Sequence, residues 1–165
     1  MTWPRIMRPV RPSPLLAIET RPMTLRDMQT VIAIENDCFD FPLSQEQFIE
    51  LNRPPAFFTM VAESRSGVVG YATYQHARDE LRLIHMAVDP FVRRRSVGRQ
   101  IIDRMKYKLA NQNREKLTAI VRETDVPAQL FFKSCGFVVV KVLHWRNADT
   151  DENEDAYVFE YHRPK

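Results

Sequence analysis

The sequence predicts an α/β domain of the mixed (α+β) kind, a mixed sheet covered by helices. Three observations carry this. Helix-period and strand-period segments interleave in the order β-α-α-β-β-β-α-β-α-β-β. Hairpin-like turns join some of the strands, which brings antiparallel pairing into the sheet. The chain has 165 residues, 44% apolar and 27% charged, enough to bury one core without disulfide or metal staples.

The first segment, residues 1–16, is MTWPRIMRPVRPSPLL. Pro4, Pro9, Pro12 and Pro14 are too closely spaced for helix or ladder, so it reads as an extended or disordered tail before one domain over 17–165. Ala17–Pro22 reads as a short strand. Thr24 with Asp27 resembles a cap with an acid in the first turn, opening a helix with Met28, Val31, Ile32 and Ile34 on its apolar side. Ser44 with Gln47 predicts a capping box for a helix through Phe48, Ile49 and Leu51, stopped by Pro54–Pro55. Strands at 57–62 and 68–75 flank the turn Ser64–Gly67, and a third runs from Leu81 to Val88. A basic loop, Arg93–Gly98, opens a long helix with Val97, Ile101, Ile102, Met105 and Leu109 at helical spacing. Leu117–Val121 is a strand; Pro127–Ser134 is a short helix with Gly136 as its stop. Strands at 137–145 and 157–161 close the chain around an acidic loop, 149–155.

Composition excludes several classes. No run approaches the roughly 18 apolar residues of a membrane span. Two cysteines, Cys38 and Cys135, make no disulfide framework, and no Cys/His spacing predicts a metal site. With no signal peptide, a cytoplasmic location is expected. The net charge of +3 belongs to the tail, which holds Arg5, Arg8 and Arg11 and no acid; the body balances at 21 basic and 21 acidic residues. Basicity is therefore no evidence for a nucleic-acid-binding domain. A tail contact with an acidic partner such as ribosomal RNA stands beside the plainer reading of a solvated leader.

The informative stretch is a strand, a basic loop and a helix start. The first N–H groups of a helix lack partners inside it, and the helix dipole adds partial positive charge there. Amides of Arg94 to Arg99 can hold a diphosphate, with guanidinium groups adding charge-assisted contacts. On residues alone, a solvated charge run fits equally well.

The wider text is more specific. VDPFVRRRSVGR resembles the acetyl-CoA-binding motif of the GNAT family of N-acetyltransferases, V-x-P-x-x-Q/R-R-x-G-x-G. VRETDVPAQLFFKSCGF resembles that family's V-R-x-S-N-x-x-A-x-x-L-Y-x-x-x-G-F segment. IENDCFDFPLSQEQF resembles the I-E-x-x-C-F-x-x-P-W-S-x-x-x-F entry of its ribosomal-protein-alanine N-acetyltransferase (RimI-like) group, and Glu154-Asp155-Ala156 also fits that group. The pieces fall in the family's order across residues 17–161.

The resemblance implies a mostly antiparallel mixed sheet of six to seven strands flanked by about four helices, with acetyl-CoA as acyl donor. It implies backbone contacts to pantetheine from Met86, Ala87 and Val88. It assigns the pyrophosphate to Arg93, Arg94, Arg95, Ser96, Val97 and Gly98, with Arg99 one turn on. Asp125 takes the place of the family's cofactor-contacting Asn. Phe132 stands where a tyrosine protonates the leaving thiolate, and Ile120 where RimI-like enzymes carry a base glutamate. The glutamate of histone-type members would fall near Arg82. Ser96 also replaces a motif glycine, and its Cβ narrows the approach to phosphate. The binding half of the site is therefore kept and the usual acid–base half is absent.

Glu80, two positions before Arg82 on the same strand face, is the candidate base. Strict alternation puts His85 on the opposite face from Arg82, which makes it a packed strand histidine. Tyr74 and His76 could line the acceptor groove, though each also reads as structural. His144 and Trp145 lie where the group's last hairpin contacts substrate. Glu123 reads as solvated and Cys135 as packing. The expected activity is acetyl transfer to a protein N-terminal α-amine or a small amine, by direct attack with water-relayed deprotonation. An acyl-CoA-binding module with little transfer, a sensor or scaffold, is the alternative. Monomer and homodimer both stay open.

Overall fold

The computed structural model describes residues 13–53, 57–146 and 152–165. In chain order they form β1 (Glu19–Pro22), a 3₁₀ turn (Leu25–Asp27), α1 (Met28–Cys38), α2 (Gln45–Leu51), β2 (Phe57–Ser64), β3 (Gly67–His76) and β4 (Glu80–Val88). There follow a second 3₁₀ turn (Pro90–Val92), α3 (Val97–Asn111), β5 (Lys116–Arg122), α4 (Val126–Ser134), β6 (Val138–Arg146) and β7 (Asn153–His162). The strands make one sheet in the order β1-β2-β3-β4-β5-β7-β6. Its neighbours are antiparallel except β4 and β5, which run parallel across the α3 crossover. The mixed, mostly antiparallel sheet and its four helices match the expectation.

Each helix seals one face. Val97, Ile101, Ile102, Met105 and Leu109 of α3 are all buried against Leu81, Leu83, Leu117 and Ala119. Burying each aliphatic side chain is worth about 1.5–3 kcal/mol, so this stripe fixes α3 on the sheet. On the other face, Met28, Val31 and Ile34 of α1 and Phe48 of α2 pack on Val61, Tyr71 and Ala87. The Ser44–Gln47 capping box forms, with the Gln47 N–H donating to Ser44 Oγ at 3.2 Å and the Ser44 N–H to Gln47 Oε1 at 2.9 Å. Gly136, at φ 87°, follows the end of α4. Among the described residues, no helix is long and apolar enough to cross a membrane.

Two departures in register position the site. β4 pairs with β5 only from Glu80–Leu83 to Lys116–Ala119, although both strands continue. Beyond that point they part. Opposite β3, Thr73 pairs with His85 and Tyr74 with Leu83, which leaves Ile84 as an extra residue in β4. This β-bulge resets the pleat. Arg82, opposite Gln75, and His85, opposite Thr73, therefore share a face, contrary to strict alternation.

The other corrections are local. Residues 1–12 of the expected tail, Pro54–Pro55, and 147–151 of the acidic loop lie outside the described residues. The tail's last residues belong to the body: the Leu16 N–H donates to the Arg95 carbonyl at 3.0 Å, and Leu16 packs on the α3 core. Residues 153–155 belong to β7, where Asp155 pairs with His144.

Candidate active site

Where β4 and β5 part, a cleft of about 600 Å³ opens. Leu83, Ile84, His85 and Met86 line one side, Ala119 to Arg122 the other. Thr124, Asp125, Ala128 and Phe132 close it below, and Cys38, Phe39, Asp40 and Phe41 form a wall after α1. Beyond Leu83, β4 has β3 on one side and no strand on the other. Backbone N–H and C=O groups on that edge are left for a ligand. The pantetheine residues implied by resemblance, Met86, Ala87 and Val88, lie on this free edge.

The basic turn sits at the start of α3. Arg94 and Ser96 both adopt φ 64°, in the left-handed region, and among the described residues no acceptor engages the amides from Arg94 to Arg99. The turn thus points a row of N–H donors outward at the positive end of a fifteen-residue helix. The expected arginines divide. Arg94 is exposed and makes no side-chain hydrogen bond or ion pair among the described residues. Arg93 donates to Cys38 Sγ at 3.2 Å and the Val88 carbonyl at 3.4 Å, Arg95 to the Pro14 carbonyl at 3.1 Å, and Arg99 to Ser134 Oγ and its carbonyl at 3.1 Å. Three of the four guanidinium groups brace the turn. Gly98 is closely packed: a Cβ there would stand 3.2 Å from the Phe131 ring and 3.3 Å from Met86 Cε, so both neighbours would have to give by a few tenths of an ångström.

Asp125 caps α4, accepting from the Ala128 N–H at 3.1 Å while lining the cleft. Phe132 lies in an aromatic group with Phe131, Phe137 and Phe159. Ile120 is 64% exposed at the cleft wall. Neither position can move a proton.

Glu80 is placed away from the cleft. It sits at the paired end of β4, bonded to Arg82 and 3.8 Å from Lys116, and β4 and β5 are still closed beside it. Glu80 is thus not among the residues that line the cleft. Tyr74 and His76 face α3, against Phe58, rather than the cleft. Burial lowers the His76 pKa. His144 is exposed, its Nδ1 2.9 Å from Asp155. Glu123 accepts the Asp155 N–H at 3.2 Å. Cys135 is buried, which pushes its thiol pKa up.

Sequence reasoning missed the α1 wall and a buried polar group behind it. Glu35 is fully buried; Oε1 accepts the Leu43 N–H at 2.9 Å, and Oε2 accepts the Tyr71 hydroxyl. His85 Nε2 lies 3.6 Å from the same Oε2, with its ring 4.5 Å from that of Phe39. Burial lowers the His85 pKa, opposed by the Glu35 charge. Burial and that carboxylate hold the Tyr71 hydroxyl protonated far above its ordinary range. The signal was available: Met28, Val31 and Glu35 share one helical stripe, so an acid falls on an apolar face.

Two adjacent parallel strands splayed around a cleft, with an anion-seeking helix start beside it, suit a ligand with a phosphate end and a chain that lies along a strand edge. Residues 28–137 match the model of the acetyltransferase (GNAT) family, and the chain belongs to that family. Its acyl donor is acetyl-CoA. The [ribosomal protein bS18]-alanine N-acetyltransferase of Escherichia coli is 25% identical over 132 residues, 80% of this chain and 88% of that protein. The crystal structure of the E. coli ribosomal-protein-alanine N-acetyltransferase has a TM-score of 0.77 at 22% identity, covering 88% of this chain and 94% of its own. Arabidopsis thaliana NAA60 in complex with acetyl-CoA has a TM-score of 0.73 at 18% identity, covering 88% and 98%.

Proposed function

We propose that this N-acetyltransferase acts on a protein N-terminal α-amine or a small amine of similar basicity. The observation that carries the reading is the cleft wall: Ile120 and Phe132 stand where the resemblance places a base and an acid. An α-amine with pKa about 7.7–8.0 is roughly a quarter to two-fifths neutral at about pH 7.5, whereas a lysine near 10.4 is about 0.1% neutral. A site with no strong base at the family's position favours the first. The alanine acceptor in the E. coli relative's name agrees with it.

Acetyl-CoA supplies the activated thioester. The unpartnered amides of Arg94 to Arg99 suit its pyrophosphate, and the free edge of β4 suits its pantetheine. Asp125 and Phe132 border the same cleft. The β4 edge can polarise the acetyl carbonyl, and the cleft holds amine and carbonyl together. The proton leaves the attacking nitrogen through water.

Offering purified protein acetyl-CoA with matched peptides, one with a free N-terminus and one blocked but carrying lysine, tests this. Free-thiol release and a mass shift on the first peptide at least about tenfold faster than on the second are expected. Preference for lysine would overturn the α-amine reading. Tight acetyl-CoA binding with no amine-dependent thiol release would instead favour a binding module, the reading that the apolar residues at 120 and 132 also motivate.

A further inference from the structure

Resting on that reading, we infer that His85 is the group that takes the proton carried away from the attacking amine, held for this by buried Glu35. Three features of the fold converge on the side chain. The Ile84 bulge turns it to the α1 face, at the wall of the acceptor cleft. Glu35 Oε2, itself fixed by the Tyr71 hydroxyl, stands 3.6 Å from Nε2. Phe39 packs on the ring and limits its rotation. Nδ1 makes no hydrogen bond among the described residues, and neither ring nitrogen is sealed from solvent. Burial keeps the imidazole neutral near pH 7, the form that accepts a proton.

The step balances. The neutral amine attacks the acetyl carbonyl and the N–C bond forms, which makes the nitrogen strongly acidic. Its proton passes through a cleft water to the imidazole. The C–S bond then breaks, the electron pair leaves on sulfur, and the thiolate takes a proton from solvent while His85 returns its own. No acid is required at Phe132, because a thiol near pKa 8.5 is a modest leaving base. Glu35 is a positioning residue: it sets the ring's orientation and favours the imidazolium form. Charged and titratable groups that face the ring or share its cleft and strand face are Glu35, Cys38 and Asp40 from α1 and its following wall, Tyr71 from β3, Arg82 from β4, Arg93 on Cys38 Sγ, and Arg122 and Asp125 across the cleft.

The test uses the full chain, acetyl-CoA and an N-terminal peptide. His85→Ala is expected to lower kcat by about 100-fold with acetyl-CoA affinity unchanged. It should reduce the acid limb of the kcat–pH profile from two ionisations to the one that belongs to the amine itself, and added imidazole should recover part of the rate. Glu35→Gln keeps the second ionisation but moves it to lower pH, since the lost charge no longer favours imidazolium. A purely structural role would produce neither imidazole rescue nor a moved limb. A His85→Ala kcat within about threefold of wild type, or a loss explained by weaker acetyl-CoA binding, overturns the inference. If wild type binds acetyl-CoA but acetylates no amine, the functional reading itself fails, and this one with it.

Discussion

Ser96 and Arg94 hold φ values of 64° without being glycine. Left-handed backbone costs an L-residue about 1–2 kcal/mol because Cβ crowds the following carbonyl. The turn accepts that cost because the geometry exposes consecutive amides. The resembling motif has glycine at the Ser96 position, and the φ value supplies the reason. Ser96→Gly should relieve the strain but adds unfolded-state freedom worth about 0.5–1 kcal/mol. The expected net gain is about 0.5–1 kcal/mol, a rise in Tm of roughly 1–4 °C for a chain of this size, with acetyl-CoA affinity retained or improved. Calorimetry with and without acetyl-CoA checks both halves; a lower Tm would mean that the Ser96 side chain has a stabilising contact elsewhere.

At the scale of the element, α3 carries both the core and the anion site. Its first turn is so tight that a Cβ at Gly98 would meet Phe131. Gly98→Glu should therefore abolish acetyl-CoA binding twice over, by crowding α4 and by setting a carboxylate at the helix start in competition with the pyrophosphate. Isothermal titration should show at least about a 100-fold loss of affinity, and unchanged affinity would remove the helix start from the site. Most of this was legible in the sequence. The α3 stripe, the Ser44 box and the basic turn are local patterns, and local patterns survive in one dimension. The Ile84 bulge was not legible, because it exists only in register with β3. The parting of β4 from β5 is likewise a property of two strands, and it opens the cleft beyond Leu83, away from Glu80. Glu35 was legible in part: its place on the apolar stripe could be read, but its partners Tyr71 and Leu43 are distant in sequence.

At the scale of the whole molecule, the short edge strand β1 is tied down by one arginine. Arg21 donates to both oxygens of Asp27, at 2.7 and 2.9 Å, and to Glu63 on β2 at 2.8 Å. Asp27 also accepts the Thr24 N–H at 2.8 Å, so one carboxylate joins β1 to the turn that starts α1. The helix that ends at the cleft wall thus starts from a junction at the far edge of the sheet. The hydrogen bonds from Arg21 hold the Asp27 carboxyl far below the usual carboxylate range. A depressed folded pKa contributes stability that is complete above the unfolded value of about 3.9 and is lost as pH falls toward the folded one. Glu63 is lowered by the same arginine, but it is 42% exposed and contributes less. Arg21 stays protonated throughout and adds no slope. Asp27→Asn should then cost on the order of 1–3 kcal/mol at pH 7, while its stability falls less steeply in acid, so the two proteins converge between about pH 4 and pH 2. Urea unfolding at pH 7, 5, 3.5 and 2.5 measures the gap. A gap independent of pH would show that the junction is held by shape rather than by charge.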